Sequence, residues 1–326
     1  MKFQFSPAVL ALGRWLRRFL AASLALVVFV AMPAAMAQTE APESQGDLSI
    51  ISWNIEWFPG KKNFARSDAM KKHAQVVSEV IAELNPDILL AQEIRDWESF
   101  ARLCDVLPGF RPAVVSAFPS RKTGEYWRQQ VAIGSKLPVM AAWSQPWQQH
   151  DDLQPPRGFS AAVVRLPGAG SPRYLLVYSL HLKSNLSESE EETQTNFRDR
   201  DESIRQLLEH VREMEQNVFK GGIVGVVVGG DFNTNHDGQF DDKVIELMKE
   251  AGFHHTWGDT PREQRETWRG TKKLSPTTFD HIFTKGLGQP QAELVEVPEE
   301  TSDHRPVRII VSKEDIARAK PPATTL

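Results

Sequence analysis

Short runs of β-branched and other apolar residues recur along this chain, and several of them end at charged or amide side chains. In the clearest case the apolar run at 224–228 continues through two glycines into Asp231 and Asn233. A run that is apolar at every position is typical of a strand covered on both faces inside a sheet. Alternate residues on extended backbone point to the same side, so Asp231 and Asn233 reach one spot, as in sites built on α/β scaffolds. The alternative is that both residues only form the following turn.

The other regular elements follow from the same two periodicities. Further strands are predicted at residues 48–53, 87–93, 111–116, 131–133, 159–166, 174–180, 277–283, 293–297 and 307–311. Apolar positions at helical spacing predict helices at 67–84, 97–107, 197–219 and 242–251. The acidic run at 188–192 indicates a solvated loop or the start of a helix.

The N-terminal segment has the order of a secretory signal peptide. Four basic residues precede an apolar run at 19–31, and Pro33, Ala35 and Ala37 follow it. We therefore expect a signal peptide at 1–37, a flexible linker at 38–47, one folded domain at 48–313 and a loose tail at 314–326. The apolar run is short for a membrane span, so an uncleaved anchor is the lesser alternative and a secreted or periplasmic location is expected.

Charge and cysteine content limit the chemistry. Removing residues 1–37 changes the formal net charge from −4 to −8, because that segment holds four basic residues and no acidic one. An acidic protein needs a local basic strip or a bridging cation to hold a polyanion. Cys104 is the only cysteine, which excludes an intramolecular disulfide and indicates a buried thiol more than a nucleophile. No cysteine and histidine spacing typical of zinc occurs, which leaves cations that prefer oxygen ligands.

Two loops suggest binding functions. The loop at 121–130 mixes basic and aromatic residues, among them Tyr126 and Arg128, which suit stacking and phosphate contact, although a solvated hairpin is an equal alternative. The loop at 233–242 alternates oxygen-bearing side chains around a glycine, as a calcium loop does. Val244 stands where the closing glutamate belongs, which favours a plain turn and leaves Ca²⁺ only as an alternative structural ion.

Polar residues at strand ends carry the chemistry. They are Asn54, Glu56, Glu93, His181, Asp231, Asn233, Asp280, Asp303 and His304. If these strand ends meet, the carboxylates suffice for one or two Mg²⁺ or Mn²⁺ ions, the histidines can transfer protons, and the amides can hold a phosphate. The sequence contains neither a glycine-rich nucleotide loop nor a serine elbow. The set therefore points to metal-assisted hydrolysis of a phosphate ester.

Six short motifs resemble, in order and spacing, those of the endonuclease/exonuclease/phosphatase superfamily, which includes deoxyribonuclease I and exonuclease III. They are Ser-Trp-Asn-Ile-Glu at 52–56, Ala-Gln-Glu at 91–93, Ser-Leu-His at 179–181, Gly-Asp-Phe-Asn at 230–233, Phe-Asp-His-Ile-Phe at 279–283 and Ser-Asp-His-Arg-Pro-Val at 302–307. The resemblance implies that residues 48–313 form a catalytic α/β domain. Its expected architecture is a four-layered α/β/β/α sandwich with two central, mostly antiparallel sheets.

The resemblance also implies roles for individual residues. Metal binding falls to Glu93 with Asn54 and Asp303. Asp280 orients His304, a general base or phosphate stabiliser, while Asp231 and Asn233 position the nucleophile and a phosphoryl oxygen. His181 matches the acid on the leaving-group side in the deoxyribonuclease I-like branch, and Arg157 matches a phosphate-contacting arginine.

Two features depart from that branch. Its glutamate that orients the acid histidine is absent, and Glu125 is the candidate substitute. Its usual disulfide is absent as well.

The sequence therefore predicts an exported, Mg²⁺-dependent, monomeric phosphodiesterase. DNA is the first substrate hypothesis. A phospholipid-directed phosphatase or sphingomyelinase-type enzyme is the alternative, although no stretch suited to membrane insertion follows the signal peptide. A secreted binding protein that has lost catalysis is a remote alternative, because the metal-binding and proton-transfer residues are all present.

Overall fold

The computed structural model describes residues 46–120, 123–126, 128–150, 152–168, 171–219 and 222–320. The expected signal peptide, most of the expected linker and the end of the expected tail lie outside these residues. Among the described helices, none has both the length and the apolar character needed to cross a membrane.

Two six-stranded sheets form the centre of the folded unit. The first sheet runs in the order β11 (Ala292–Leu294), β12 (Val307–Val311), β1 (Leu48–Phe58), β2 (Ile88–Ile94), β4 (Gln130–Ser135) and β3 (Arg111–Val115). The second runs in the order β5 (Val139–Pro146), β6 (Gly158–Arg165), β7 (Tyr174–His181), β8 (Ile223–Asp231), β10 (Asp280–Lys285) and β9 (His254–His255). One pair in each sheet, β1 with β2 and β7 with β8, is parallel, and the other pairs are antiparallel.

The two sheets pack face to face. Apolar side chains of both sheets, such as Ile50 from the first and Val177 from the second, belong to one buried cluster. A buried polar contact also joins the sheets, because the Ser179 hydroxyl donates to the Ala91 carbonyl at 3.0 Å. These contacts hold the carboxyl ends of the two parallel pairs against each other.

Helices cover the outer face of each sheet. Helices α1 (Ser67–Leu84) and α2 (Trp97–Cys104) bury their apolar sides in the cluster on the first sheet. Helices α3 (Glu190–Glu213) and α4 (Val244–Glu250) do the same on the second, and α3 continues into the π-helical turn Met214–Val218. A short 3₁₀ turn is formed by Arg262–Gln264. The predicted four-layered α/β/β/α sandwich is confirmed.

The tail differs from its prediction. Residues Lys313–Arg318 form helix α5, and the preceding residue Ser312 caps its N-terminus, because the Ser312 hydroxyl accepts from the Asp315 amide. Ile316 is buried in the cluster between the sheets, and this apolar contact is the reason that the start of the tail is ordered.

The buried His281 should make the fold lose stability in acid. Its Nε2 donates to the Thr234 carbonyl at 2.8 Å, and its Nδ1 lies 3.0 Å from His255 Nε2. Burial lowers the pKa of His281 to about 4, whereas an exposed histidine titrates near pH ~6.5. Since the unfolded chain binds the proton first, the free energy of unfolding should fall as the pH drops from about 6.5 towards about 4.

Urea unfolding of the wild type and of His281→Asn across that acid range measures this effect. The variant should lose less free energy of unfolding on acidification than the wild type. Equal losses in both proteins would assign the acid sensitivity to other groups.

Candidate functional site

The predicted site residues come together at one end of the two sheets. Asn54 lies on β1, Glu93 on β2, His181 at the end of β7 and Asp231 at the end of β8. Asp280 begins β10 and pairs directly with Asp231 across the antiparallel ladder. All five side chains are buried. The expectation that these strand ends converge therefore agrees with the geometry.

The Asp231 carboxylate lies at the centre of the cluster. Its Oδ2 accepts a hydrogen bond from Asn54 Nδ2 at 3.0 Å. The same oxygen lies 3.4 Å from His181 Nε2 and 3.9 Å from His304 Nε2. Its Oδ1 accepts from the Asn233 amide at 3.0 Å, which holds that residue in left-handed backbone (φ 53°). The Asp231 carboxylate, on the second sheet, thus binds Asn54 of the first sheet and lies between the imidazole rings of His181 and His304.

His304 forms a dyad with Asp280. The Nδ1 of His304 donates to Asp280 Oδ2 at 2.7 Å, as the resemblance implies. Burial opposes the charge of the imidazolium, but the carboxylates of Asp280, Asp231 and Asp303 outweigh it and raise the pKa of His304 to about 10. His304 is therefore a buried cation at neutral pH, with its Nε2 turned towards Asp231.

In Asp231 and His181, unlike in His304, the effect of burial dominates and favours the uncharged form of the side chain. It raises the pKa of Asp231 to about 7, although the His304 cation lowers it in part. Burial, with the Arg157 and His304 cations, lowers the pKa of His181 well below its usual value. At neutral pH His181 is therefore uncharged, and Asp231 is poised to exchange a proton.

Glu93 is a buried carboxylate on strained backbone. Its φ of 61° lies in the left-handed region, which costs energy for a residue with a side chain. Its Oε2 accepts from the Trp57 amide at 2.8 Å and its Oε1 from Gln129 Nε2 at 2.7 Å. Burial still raises the pKa of Glu93 to about 7, and Asp303 and Asp231 add to the rise. The two hydrogen bonds and the nearby His304 cation therefore do not fully compensate the negative charge of the Glu93 carboxylate.

These residues fit a divalent cation. Among the described residues, Asp231, Asp280 and His304 bring donor atoms within 4.8 Å of one another, but the last two already bind each other. Glu93, Asn54 and Asp303 add hard oxygen donors beside an excess of buried negative charge, which is the environment that Mg²⁺ or Mn²⁺ compensates. The expected ligand set is thus compatible with the geometry.

Of the three residues expected to contact phosphate, Arg157 lies beside the end of β7, and Tyr126 and Arg128 lie in the loop before β4. Arg157 donates from Nε to the His181 carbonyl at 2.9 Å and from Nη2 to the Leu182 carbonyl at 2.6 Å, so it braces the end of β7. The hydroxyl of Tyr126 donates to Ser116 at 3.4 Å, and Arg128 Nη1 donates to Asn63 at 2.8 Å. Their role towards phosphate stays a prediction.

The suggestion that Glu125 orients His181 is wrong. Glu125 lies in an exposed turn, in which its carbonyl accepts from the Ser120 amide. The Nδ1 of His181 is buried and has no hydrogen-bond partner among the described residues. The neighbour of His181 Nε2 is Asp231, which therefore takes over its orientation.

The loop at 233–242 has the contacts of a turn. The carboxylate of Asp237 pairs with Arg265, and that of Asp242 pairs with Arg200. Both carboxylates are thus neutralised by arginine, in agreement with the interpretation of this loop as a turn.

Several contacts around the site gave no signal in the sequence. Trp268 Nε1 donates to Asp303 Oδ2 at 3.2 Å, and Glu56 accepts from the Asp303 amide at 3.0 Å while pairing with Lys61 at 2.9 Å. His73, on α1, accepts from the Gly60 amide at 2.7 Å. A single histidine or tryptophan whose partner is distant in sequence belongs to no motif, so the sequence pattern cannot predict the contact.

His73 should matter for turnover although it lies outside the cluster. Its Nε2 donates to the Thr301 carbonyl at 2.6 Å, so the ring ties the exit of β1 to the loop that carries Asp303 and His304. We expect His73→Ala to lower kcat about 10- to 100-fold, as loss of a residue that positions site ligands commonly does.

Steady-state kinetics measure this effect, with the exposed neighbour replaced in Lys72→Ala as the control. An unchanged kcat in His73→Ala would show that the loop keeps its position without the ring.

Comparison with known proteins agrees with this geometry. Residues 51–304 match the model of the endonuclease/exonuclease/phosphatase family. Comparison with curated proteins found no match. Among solved structures, an endonuclease/exonuclease/phosphatase family protein from Bacteroides thetaiotaomicron is similar, with 17% identity, coverage of 82% of this chain and 98% of that chain, and a TM-score of 0.59.

Two further solved structures share the fold. TDP2 from Caenorhabditis elegans, in truncated form, is 18% identical, with coverage of 82% of this chain and 98% of that chain and a TM-score of 0.53. TDP2 from D. rerio, solved with a single-strand DNA product, is 15% identical, with coverage of 81% and 98% and a TM-score of 0.53. Since the family model spans most of the described domain, this chain belongs to the endonuclease/exonuclease/phosphatase family.

Proposed function

We propose that this protein is an exported, Mg²⁺-dependent phosphodiesterase that hydrolyses DNA. Members of its family are divalent-metal-dependent hydrolases of phosphate esters. The observation that carries the proposal is the Asp231 carboxylate between two imidazoles, 3.4 Å from His181 Nε2 and 3.9 Å from His304 Nε2. The single-strand DNA product bound by the D. rerio structure supports nucleic acid as the substrate class.

The cation would be held by Glu93, Asn54 and Asp303. When bound, it supplies positive charge to the phosphate and lowers the pKa of nearby water. Glu93→Gln should raise the Mg²⁺ concentration needed for half-maximal activity, because the substitution removes a buried negative charge. Titration of Mg²⁺ against initial rate measures the effect, and an unchanged Mg²⁺ dependence would exclude Glu93 as a ligand.

The remaining residues provide proton transfer and charge stabilisation. Water attacks phosphorus and gives its proton to Asp231, whose raised pKa suits a general base near neutral pH. The bond from phosphorus to the leaving oxygen breaks, and that oxygen takes a proton from the His304 imidazolium, which Asp280 holds at 2.7 Å. The neutral His181, whose Nε2 lies 3.4 Å from Asp231 Oδ2, would help to keep that carboxylate in place, and Asn233 would contact a phosphoryl oxygen.

This assignment differs from the one that the resemblance implies. There, His304 accepts the proton of the water or stabilises the phosphate, and His181 protonates the leaving oxygen. Here, His304 lies between two carboxylates that stabilise its protonated form, with Nδ1 2.7 Å from Asp280 and Nε2 3.9 Å from Asp231, and this geometry favours His304 as the donor.

A parallel cleavage assay tests the substrate class. Purified wild type and His304→Ala, prepared identically to control for contaminating nucleases, would receive plasmid, single-stranded DNA, RNA, sphingomyelin and a soluble phosphoinositide, with Mg²⁺ or with chelator. We expect chelator-sensitive cleavage of DNA by the wild type alone. Release of a lipid head group without cleavage of any nucleic acid would leave the assignment of the site residues intact and would contradict DNA as the substrate.

Export has a separate test. Expression in a bacterial host followed by N-terminal sequencing of the periplasmic fraction should find a chain that begins at residue 38. An intact N-terminus in the cytoplasm would contradict export.

A further inference from the structure

Phe64 is an aromatic side chain exposed to solvent near the site. Its exposed fraction is 79%, in the segment that follows β1. Single exposed apolar residues are common on protein surfaces and mean little alone. What distinguishes Phe64 is the arginine that covers its ring.

Arg128 holds the ring from a second loop. The centre of its guanidinium lies 4.7 Å from the Phe64 ring centroid, which is a cation–π distance. Its Nη1 also donates to the carbonyl of Asn63 at 2.8 Å, so the loop before β4 is tied to the segment after β1. The two planar groups therefore form an ordered stack at the surface.

Chain neighbours of both halves of this stack contact carboxylates at the site. Gln129, the neighbour of Arg128, donates to Glu93 Oε1 at 2.7 Å. Lys61, which precedes Phe64 on the same segment, pairs with Glu56 at 2.9 Å, and Glu56 in turn accepts from the Asp303 amide at 3.0 Å. The stack thus borders the end of the site where the expected metal ligands Glu93 and Asp303 lie.

We propose that Phe64 and Arg128 form a stacking platform for an unpaired nucleobase next to the scissile phosphate. This inference rests on the proposed function and narrows its substrate class to single-stranded nucleic acid or an unpaired strand end. A base within a duplex already has neighbours on both faces, whereas an unpaired base gains from stacking on an exposed aromatic ring. The Arg128 cation adds attraction to the strand backbone, which the acidic chain otherwise repels.

Kinetics on three matched substrates test the platform. They are a single-stranded oligonucleotide, the duplex of the same sequence, and a single strand of abasic tetrahydrofuran residues, which keeps the phosphodiesters and lacks the bases. Phe64→Ala should raise KM for the single-stranded oligonucleotide about 5- to 100-fold with little change in kcat, as loss of one base stack does. Cleavage of the abasic strand should stay as in the wild type.

Two control variants separate stacking from general damage. Phe64→Trp should retain the wild-type KM, because it preserves a large aromatic face. Met140→Ala removes a side chain on β5 of the other sheet that is also exposed, with an exposed fraction of 52%. This variant should have the wild-type KM for all three substrates.

The outcomes distinguish this inference from the proposed function. If the wild type cleaves no nucleic acid, the proposed function fails and the platform with it. If the wild type cleaves DNA and Phe64→Ala leaves KM unchanged, or affects abasic and natural strands equally, the platform alone is overturned.

Discussion

Replacing His304 with alanine is expected to lower kcat about 10²- to 10⁴-fold, the range for loss of a group that transfers a proton in the transition state. His304 is a buried cation bound to Asp280 at 2.7 Å, and its Nε2 faces the Asp231 carboxylate at 3.9 Å. Asp231→Ala should fall in the same range, because it removes the centre of the cluster. The two losses should not add in the double variant, since the groups act as a unit.

Turnover of a soluble phosphodiester, with circular dichroism to verify folding, measures this loss. His150→Ala is the matched control, because the His150 side chain is 51% exposed beside Glu202 and away from the cluster. Wild-type turnover in either His304→Ala or Asp231→Ala would contradict the assignment of the site.

Replacing Arg200 with alanine should have the largest effect on stability, about 3–5 kcal/mol, which is the usual loss when one partner of a buried ion pair is removed. Arg200 and Asp242 are 0% and 1% exposed, and Nε and Nη2 of the arginine lie 2.9 and 2.6 Å from Asp242 Oδ2. The guanidinium also donates to the Lys183 carbonyl at 3.1 Å and lies over the Phe197 ring at 5.0 Å. Alanine would leave the Asp242 charge buried without its cation.

Urea unfolding measures this change, and two comparisons define its cause. Arg198→Ala breaks an ion pair with Asp152 on an exposed part of the same helix and should cost no more than about 1 kcal/mol. The double variant Arg200→Met with Asp242→Leu should recover part of the loss, because it removes both charges. A loss below about 1 kcal/mol in Arg200→Ala would show that water or another cation reaches Asp242.

The sequence predicted the buried strands well because their signal is local. Strand β8 is apolar at every central position, and β12 was predicted with its observed bounds, Val307–Val311. Strand β5 was missed. Val139–Pro146 is a largely exposed strand at the edge of the sheet, and its sequence does not alternate between apolar and polar residues. Helix α3 begins at Glu190, before the predicted residue 197, because the first-turn acidic residues interact favourably with the helix dipole.

The sequence predicted which residues lie together at the candidate site, but it did not predict the hydrogen bonds among them. Asn54, Glu93, His181, Asp231, Asp280 and His304 were all expected together, because the sequence places each of them at or next to the end of a predicted strand. The hydrogen bonds among them depend on which sheet edges meet, which no spacing along the chain encodes. For that reason Glu125 was wrongly assigned to His181, and the support that His73 gives to the Thr301 loop had no precursor in the sequence.

Hydrolysis of bis(p-nitrophenyl) phosphate by the wild type and His304→Ala, with Mg²⁺ and with chelator, is the most direct test of the central claim. The claim is that the Asp231, His181 and His304 cluster performs metal-dependent phosphodiester hydrolysis. We predict release of p-nitrophenolate by the wild type with Mg²⁺, and its loss both with chelator and in His304→Ala. Equal rates for the two proteins, or no release by folded wild type with either Mg²⁺ or Mn²⁺, would contradict it.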